Sequence, residues 1–236
     1  MIVLAPRNRT LRSAVIWLLY AVSFVPAAWY FYQAATGALG ADPIKTYEHL
    51  LGIWALRFLI ATLLVTPLID LADLNLMHYR RAFGLMAFWY VVMHFLVYVI
   101  LDKNLNLGVV LQDITRRWFI IIGMSAFVML IPLALTSNQF SIRRLGSKWA
   151  TLHKLVYVIA AAGVLHFAMS RKSITLEPAT YIAIIALLLA YRLVGPRIRT
   201  WKNERRKAAR LADRERQKAH ELSARSGSME HARGGI

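Results

Sequence analysis

The stretch WATLHKLVYVIAAAGVLHFAM (149–169) has two histidines, one lysine and otherwise only uncharged, mostly apolar residues. A helix needs about 17–25 such residues to cross the hydrocarbon core of a bilayer. This run therefore reads as a membrane span, and it carries two imidazoles into that span. Working outward, five more apolar blocks of similar length lie at about 14–32, 51–69, 82–101, 118–135 and 179–194. Six crossings account for about half of the 236 residues, and no strand-length alternation competes with them. The expected fold is an all-α integral membrane protein, a six-helix transmembrane bundle over 14–194. It is preceded by a cytoplasmic N-terminus (1–13) and followed by a basic, partly disordered cytoplasmic tail (195–236).

Composition supports this reading. Hydrophobic residues make up 58% of the chain and charged residues 17%, below the roughly 25% of ordinary soluble domains. Lys and Arg number 29 against 12 Asp and Glu, a formal charge of +17, so the apolar and basic residues must occupy different places. The first block follows Arg7, Arg9 and Arg12 and contains Ala27 and Ala28, which resembles a secretory leader. Its length, its aromatic content and the five blocks behind it favour a retained helix.

With the N-terminus inside, the inner segments hold Arg7, Arg9, Arg12, Arg80, Arg81, Arg143, Arg144, Lys148 and twelve basic residues of the tail. The outer segments hold Lys45, Lys103, Arg116, Arg117, Arg171 and Lys172. This asymmetry predicts cytoplasmic termini. Trp118 and Trp149 open the fourth and fifth blocks, as in an aromatic belt. The tail from Arg197 has twelve basic and five acidic residues and one aromatic, Trp201. It reads as a solvated helix facing membrane lipid that frays at its end; with a single ring for base stacking, nucleic acid is not an expected partner.

The chain has no cysteine, which excludes disulfides, thiolate-ligated haem and cysteine-held clusters. Any redox metal needs histidine. Three of the seven histidines lie inside spans: His94 in the third block, His153 and His166 in the fifth. Ionisable groups in membrane helices are costly and point to function. The third and fifth blocks cross in the same direction, so His94 and His166 share a depth and form a candidate bis-histidine site for haem iron. His153 lies thirteen residues before His166, roughly 20 Å along the helix. At about 100° per residue Arg80 falls some 40° from the face of His94, over that second level, as a propionate partner or an unusual ligand. His153 and His166 are about 140° apart, so serving two haems requires a kink or a lateral approach. The alternative is that the histidines only hydrogen-bond between helices. Small residues Gly84, Ala87, Ala160, Ala161, Ala162 and Gly163 leave room for a porphyrin. Arg57, inside the second block, either pairs with a propionate or snorkels to the surface.

Other chemistries fit poorly. Zinc lacks a compact tetrahedral donor set, and no GxSxG or GxGxxG occurs. A proton-coupled transporter wants mid-membrane acids, whereas Asp70, Asp73, Asp102, Asp113 and Glu177 fall at ends or in loops.

Three segments resemble the MsrQ (YedZ) family: TGALGADPIKTYEHLLGIWALRFLIATLLVTPL (36–68), RRAFGLMAFWYVVMHFLVYVILD (80–102) and PLALTSNQFSIRRLGSKWATLHKLVYVIAAAGVLH (132–166). The element LGSKWATLHKLVY (145–157) is the most specific. The wider group is the ferric-reductase-like transmembrane haem domain. The resemblance implies an inner-membrane cytochrome carrying b-type haem, one or two, and FMN. It implies electron delivery from the quinone pool, or from a cytoplasmic flavin donor, to MsrP, a periplasmic molybdopterin enzyme that reduces methionine sulfoxide in oxidised proteins. The family's haem-linked histidines fall on His94, His153 and His166 and its early third-helix arginine on Arg80. Segments 33–50 and 102–117 are then the expected docking surfaces for MsrP. Alternatives are a ferric or other metal reductase on the same core, and a haem-free membrane anchor.

Overall fold

The computed structural model describes residues 2–3, 8–171 and 175–233. Arg7 and Lys172 of the charge count lie outside them, as do the side chains of Arg9, Lys218, His220, Arg225, His231 and Arg233. Each helix boundary has a local cause. Helix α1 (Arg9–Ala35) starts where the Asn8 side chain accepts from the Thr10 amide at 2.9 Å. Helix α2 (Pro43–Ala72) starts on an Asp42 cap with proline in its first turn, and stops at Asp73 in the left-handed region, φ 56°. Helix α3 (Met77–Val97) runs on through a π-turn, Tyr98–Asp102. The following segment contains α4 (Leu107–Arg116), capped by Asn106, where the sequence reading has only a loop. Helix α5 (Trp118–Leu135) is followed by two short helices, α6 (Gln139–Leu145) and α7 (Ser147–Leu152). Helices α8 (Leu155–Ser170) and α9 (Leu176–Arg233) complete the order. Ile2–Val3 (β1) pairs in parallel with Leu74–Asn75 (β2), the only strand pairing among the described residues.

Among the described residues six helices are long and apolar enough to cross a membrane: Thr10–Ala35, Pro43–Ala72, Met77–Asp102, Trp118–Leu135, Ser147–Ser170 and Leu176–Gln217. The expected six-helix membrane fold is therefore present, with each span enclosing its apolar block. The chain divides into two compact units, Met1–Tyr191 and Arg192–Ile236. The first holds the bundle. The second is helical as far as Arg233 and exposed wherever its side chains are described, apart from buried Gly195 and half-buried Arg192, Ile198 and Lys202.

Within the bundle α2 is the central helix: 56% of its span is buried, against 11% for α1. Leu51 and Leu63 of α2 pack with Met86 and Tyr90 of α3, Ala160 of α8 and Ile185 of α9. Helix α1 instead turns Trp17, Leu18, Val22, Val25 and Trp29 outward. Lipid is as apolar as a leucine core, so an outward-facing apolar helix needs directional bonds to fix it. Two phenols provide them. Tyr90 donates to the Ser23 carbonyl at 2.6 Å and Tyr47 to the Ala27 carbonyl at 3.3 Å. Tyr90→Phe is expected to destabilise the bundle by about 0.5–1.5 kcal/mol. A lowered thermal midpoint in detergent reads this loss, and an unchanged midpoint shows that the bond holds nothing.

Candidate functional site

A cavity of about 490 Å³ opens between α2, α3, α5 and α8, within the usual range for small-molecule and cofactor sites. His94 from α3 and His166 from α8 both line it, with ring centroids 6.2 Å apart and planes at 84°. The parallel course of the two helices brings the rings to one depth. His94 Nδ1 donates to the Glu48 carbonyl of α2 at 2.8 Å, and His166 Nδ1 donates to the Phe119 carbonyl of α5 at 2.6 Å. A carbonyl can only accept, so each Nδ1 carries the proton and each Nε2 keeps its lone pair. This is the tautomer of a metal-ligating imidazole oriented by a second partner. Metal–nitrogen bonds of about 2.0–2.1 Å on either side, plus one ring radius at each end, separate two such centroids by about 6 Å. The spacing suits one metal ion between the rings.

One glycine is required by this arrangement, and a second lies against the other ring at contact distance. A Cβ at Gly123 on α5 would lie 2.6 Å from His166 Nδ1, inside any allowed contact. A Cβ at Gly52 on α2 would lie 3.4 Å from both Nδ1 and Cε1 of His94. Each imidazole thus lies against a bare stretch of helix backbone, close enough to reach a carbonyl there. Ala87 and Gly163 also line the cavity, whereas Gly84 packs towards Thr62.

One end of the cavity is charged. Lys45, Lys103, Arg117 and Arg171 line it together with Glu48 and Asp102. Lys103 bridges Asp102 at 2.8 Å and Asp113 at 3.3 Å, and Arg117 reaches Asp113 at 3.0 Å. Tyr98 donates to the same Asp113 carboxylate at 3.1 Å. The hydrogen bond from Lys103 to Asp102 holds its ammonium pKa above the usual lysine value. Arg171 approaches His49 Nε2 at 2.5 Å and Glu177 at 3.0 Å. Cations already held in place around the mouth suit a ligand with carboxylates at one edge.

The other predicted residues lie apart from this cavity. His153 falls at the break between α7 and α8, where the backbone leaves the α-helical pattern. The ring stacks on Trp149 at 3.9 Å and its Nδ1 donates to the Trp149 carbonyl at 3.1 Å. Its Nε2 is buried and makes no hydrogen bond of good geometry, although the Leu133 carbonyl and the Arg80 charge are near enough to act on the ring. Arg57 does not line the cavity. It donates through Nε to the Tyr181 hydroxyl at 2.9 Å and lies over the Trp54 ring. Sequence reasoning singled out the histidines but missed Gly52, Gly123 and the cations at the mouth. Those depend on which helices are neighbours, and spacing along one helix carries no such signal.

Residues 51–164 match the family described as ferric reductase like transmembrane component. The fold thus coincides with a class of ferric-reductase-like transmembrane proteins, and His94 and His153 fall inside the matched residues. The chain is 60% identical over 195 residues to the protein-methionine-sulfoxide reductase heme-binding subunit MsrQ of Agrobacterium fabrum, covering 83% of this chain and 91% of the relative. It is 59% identical over 187 residues to the protein of the same name from Brucella ovis, covering 79% and 85%. The chain belongs to the MsrQ family. No solved structure matches it.

Gly123→Ala is expected to force the His166 ring off its carbonyl and to cost about 1–3 kcal/mol through overpacking. Gly84→Ala, whose Cβ would meet Thr62 at an ordinary 3.8 Å, serves as the control. Thermal unfolding of the two variants side by side checks this, and equal midpoints would contradict it.

Proposed function

We propose that this chain is a membrane cytochrome b. It passes electrons across the inner membrane, from the quinone pool or a flavin donor, to a periplasmic molybdopterin methionine-sulfoxide reductase of the MsrP type. The observation that carries this reading is the His94–His166 pair. Two imidazoles with Nδ1 occupied and Nε2 available would give a haem iron two nitrogen ligands. The relatives' printed name, a heme-binding subunit, supports the same cofactor. Haem, when bound, supplies a reversible one-electron couple of iron whose potential the protein sets through ligands, burial and nearby charge.

The residues present fit that group. His94 and His166 would hold it through Nε2, and the carbonyls of Glu48 and Phe119 fix the rings and raise their basicity. Phe95, Phe127, Leu130 and Ile159 line the cavity and keep water from it. Lys45, Lys103, Arg117 and Arg171 stand where propionates would need cations. His153, with its buried unpaired Nε2, and Arg80 mark a second ligand level nearer the other end of the bundle. The Lys and Arg asymmetry puts that level on the cytoplasmic side and both termini in the cytoplasm. The segments 33–50 and 102–117, next to the charged mouth, are then the periplasmic docking surface.

A reductase of ferric or other metal ions on the same core is the second reading, favoured by the match of residues 51–164. The test begins with the visible spectrum of the purified protein. Reducible b-type Soret and alpha bands are expected, and their absence sinks the cytochrome reading. His94→Ala or His166→Ala should abolish the signal of the shared site, whereas His153→Ala should leave it. Reoxidation of the reduced protein by an MsrP-type enzyme, and not by ferric chelates, separates the two readings.

Orientation has its own test, because the chain has no cysteine to remove. Ala38→Cys is expected to react with an impermeant maleimide from the periplasm, and Ser141→Cys only after the membrane is opened. The reverse pattern would invert the assignment.

A further inference from the structure

Arg57 is the unusual charge of the bundle. It lies near the middle of α2, it is exposed at the surface that lipid covers, and it makes no ion pair with any described carboxylate. Its Nε is used by the Tyr181 hydroxyl and one face of the guanidinium by Trp54. Neither terminal nitrogen has a hydrogen-bond partner among the described residues. An arginine at a lipid-facing position is costly unless it snorkels or meets a counter-charge.

The geometry gives it a direction. Side chains lean towards the N-terminus of their helix, and for α2 that is the end where His49, Arg171 and Glu177 form a polar layer. Arg57 is eight residues past His49, about 12 Å along the axis, so an extended side chain reaches to just below that layer. It lines a groove of about 620 Å³ together with Ile60, Leu176, Glu177, Thr180, Tyr181 and Ile184. Glu177 is already bonded to Arg171. The Thr180 hydroxyl donates to the Leu176 carbonyl, and Tyr181, which accepts from Arg57, keeps its own proton to donate. The groove therefore offers a guanidinium fork and a phenol O–H beside apolar walls. These donors fit a phosphate oxygen, and the walls fit an acyl chain.

We propose that the groove between α2 and α9 is a binding site for one anionic phospholipid, with its phosphate on Arg57 and Tyr181. The occupant is a lipid and not a free phosphate, because Leu176, Ile60 and Ile184 line the same groove and the opening faces the bilayer. A charge-assisted, bidentate arginine–phosphate contact also replaces the counter-ion that the protein does not supply. Arg57 thereby leaves the cofactor to the cations of the cavity mouth.

The test uses the full chain in phosphatidylcholine nanodiscs doped with phosphatidylglycerol, at salt high enough to screen the basic tail. Native mass spectrometry on release counts retained lipid. Wild type should retain phosphatidylglycerol in excess of its bulk share, and excess inorganic phosphate should not displace it. Arg57→Gln should lower retention about tenfold, the equivalent of one lost hydrogen bond to a charged group. Arg57→Lys, which keeps the charge but not the fork, should fall between, as should Tyr181→Phe; these two variants carry the test if Arg57→Gln does not accumulate. Equal retention in wild type and variants overturns the proposal, as does displacement by phosphate. Haem absorbance should be unchanged in all three. Loss of haem with lipid retained would return Arg57 to the cofactor and overturn the proposal, whereas absence of haem from wild type bears only on the cytochrome reading.

Discussion

An imidazole inside a membrane has two nitrogens and no water to satisfy them. In this bundle one nitrogen of each central histidine is settled by a backbone carbonyl from a neighbouring helix: Glu48 for His94 and Phe119 for His166. Everything else at the site follows from those two bonds. The His166 ring approaches its carbonyl so closely that only glycine fits beside it at position 123, whereas Gly52 lies against the His94 ring at ordinary contact distance. Once Nδ1 is committed, Nε2 is the only lone pair left, and both rings line one cavity. The bonds also tie α3 to α2 and α8 to α5, so the contacts that orient the ligands hold the bundle together as well. Stability and ligand geometry are coupled here, and a change at Gly123 perturbs both.

Much of this was legible in the sequence, for a physical reason. Apolar blocks of bilayer length set the number of crossings, the direction of each crossing follows from counting, and equal depth on two parallel helices follows from direction. His94 and His166 could be matched without knowing any contact. Lateral position could not. Nothing along α2 marks Gly52 as the neighbour of His94, because glycine is common in membrane helices and its role depends on the partner helix. Arg57 shows the same limit. Its depth was readable, but whether it faced the cavity or the bilayer depended on which side of α2 packs against α3, and the structure turns it towards Tyr181 of α9.

The polar groups also divide by what surrounds them. At the cavity mouth cations and carboxylates come in close pairs, Lys103 with Asp102 and Asp113, Arg117 with Asp113, Arg171 with Glu177. Pairs at a partly solvated rim contribute little net stability. They do hold long side chains in place, so an anionic edge entering the cavity meets charges that need not be ordered first.

His153 presents the opposite case. Its Nδ1 bonds within its own turn, to the Trp149 carbonyl, and the ring is held by stacking on Trp149 rather than by a neighbouring helix. Its Nε2 is buried without a good partner, a cost of roughly 1–3 kcal/mol for a polar group left unsatisfied. The proposed second ligand level rests on that nitrogen, with the Arg80 charge close enough to act on the ring.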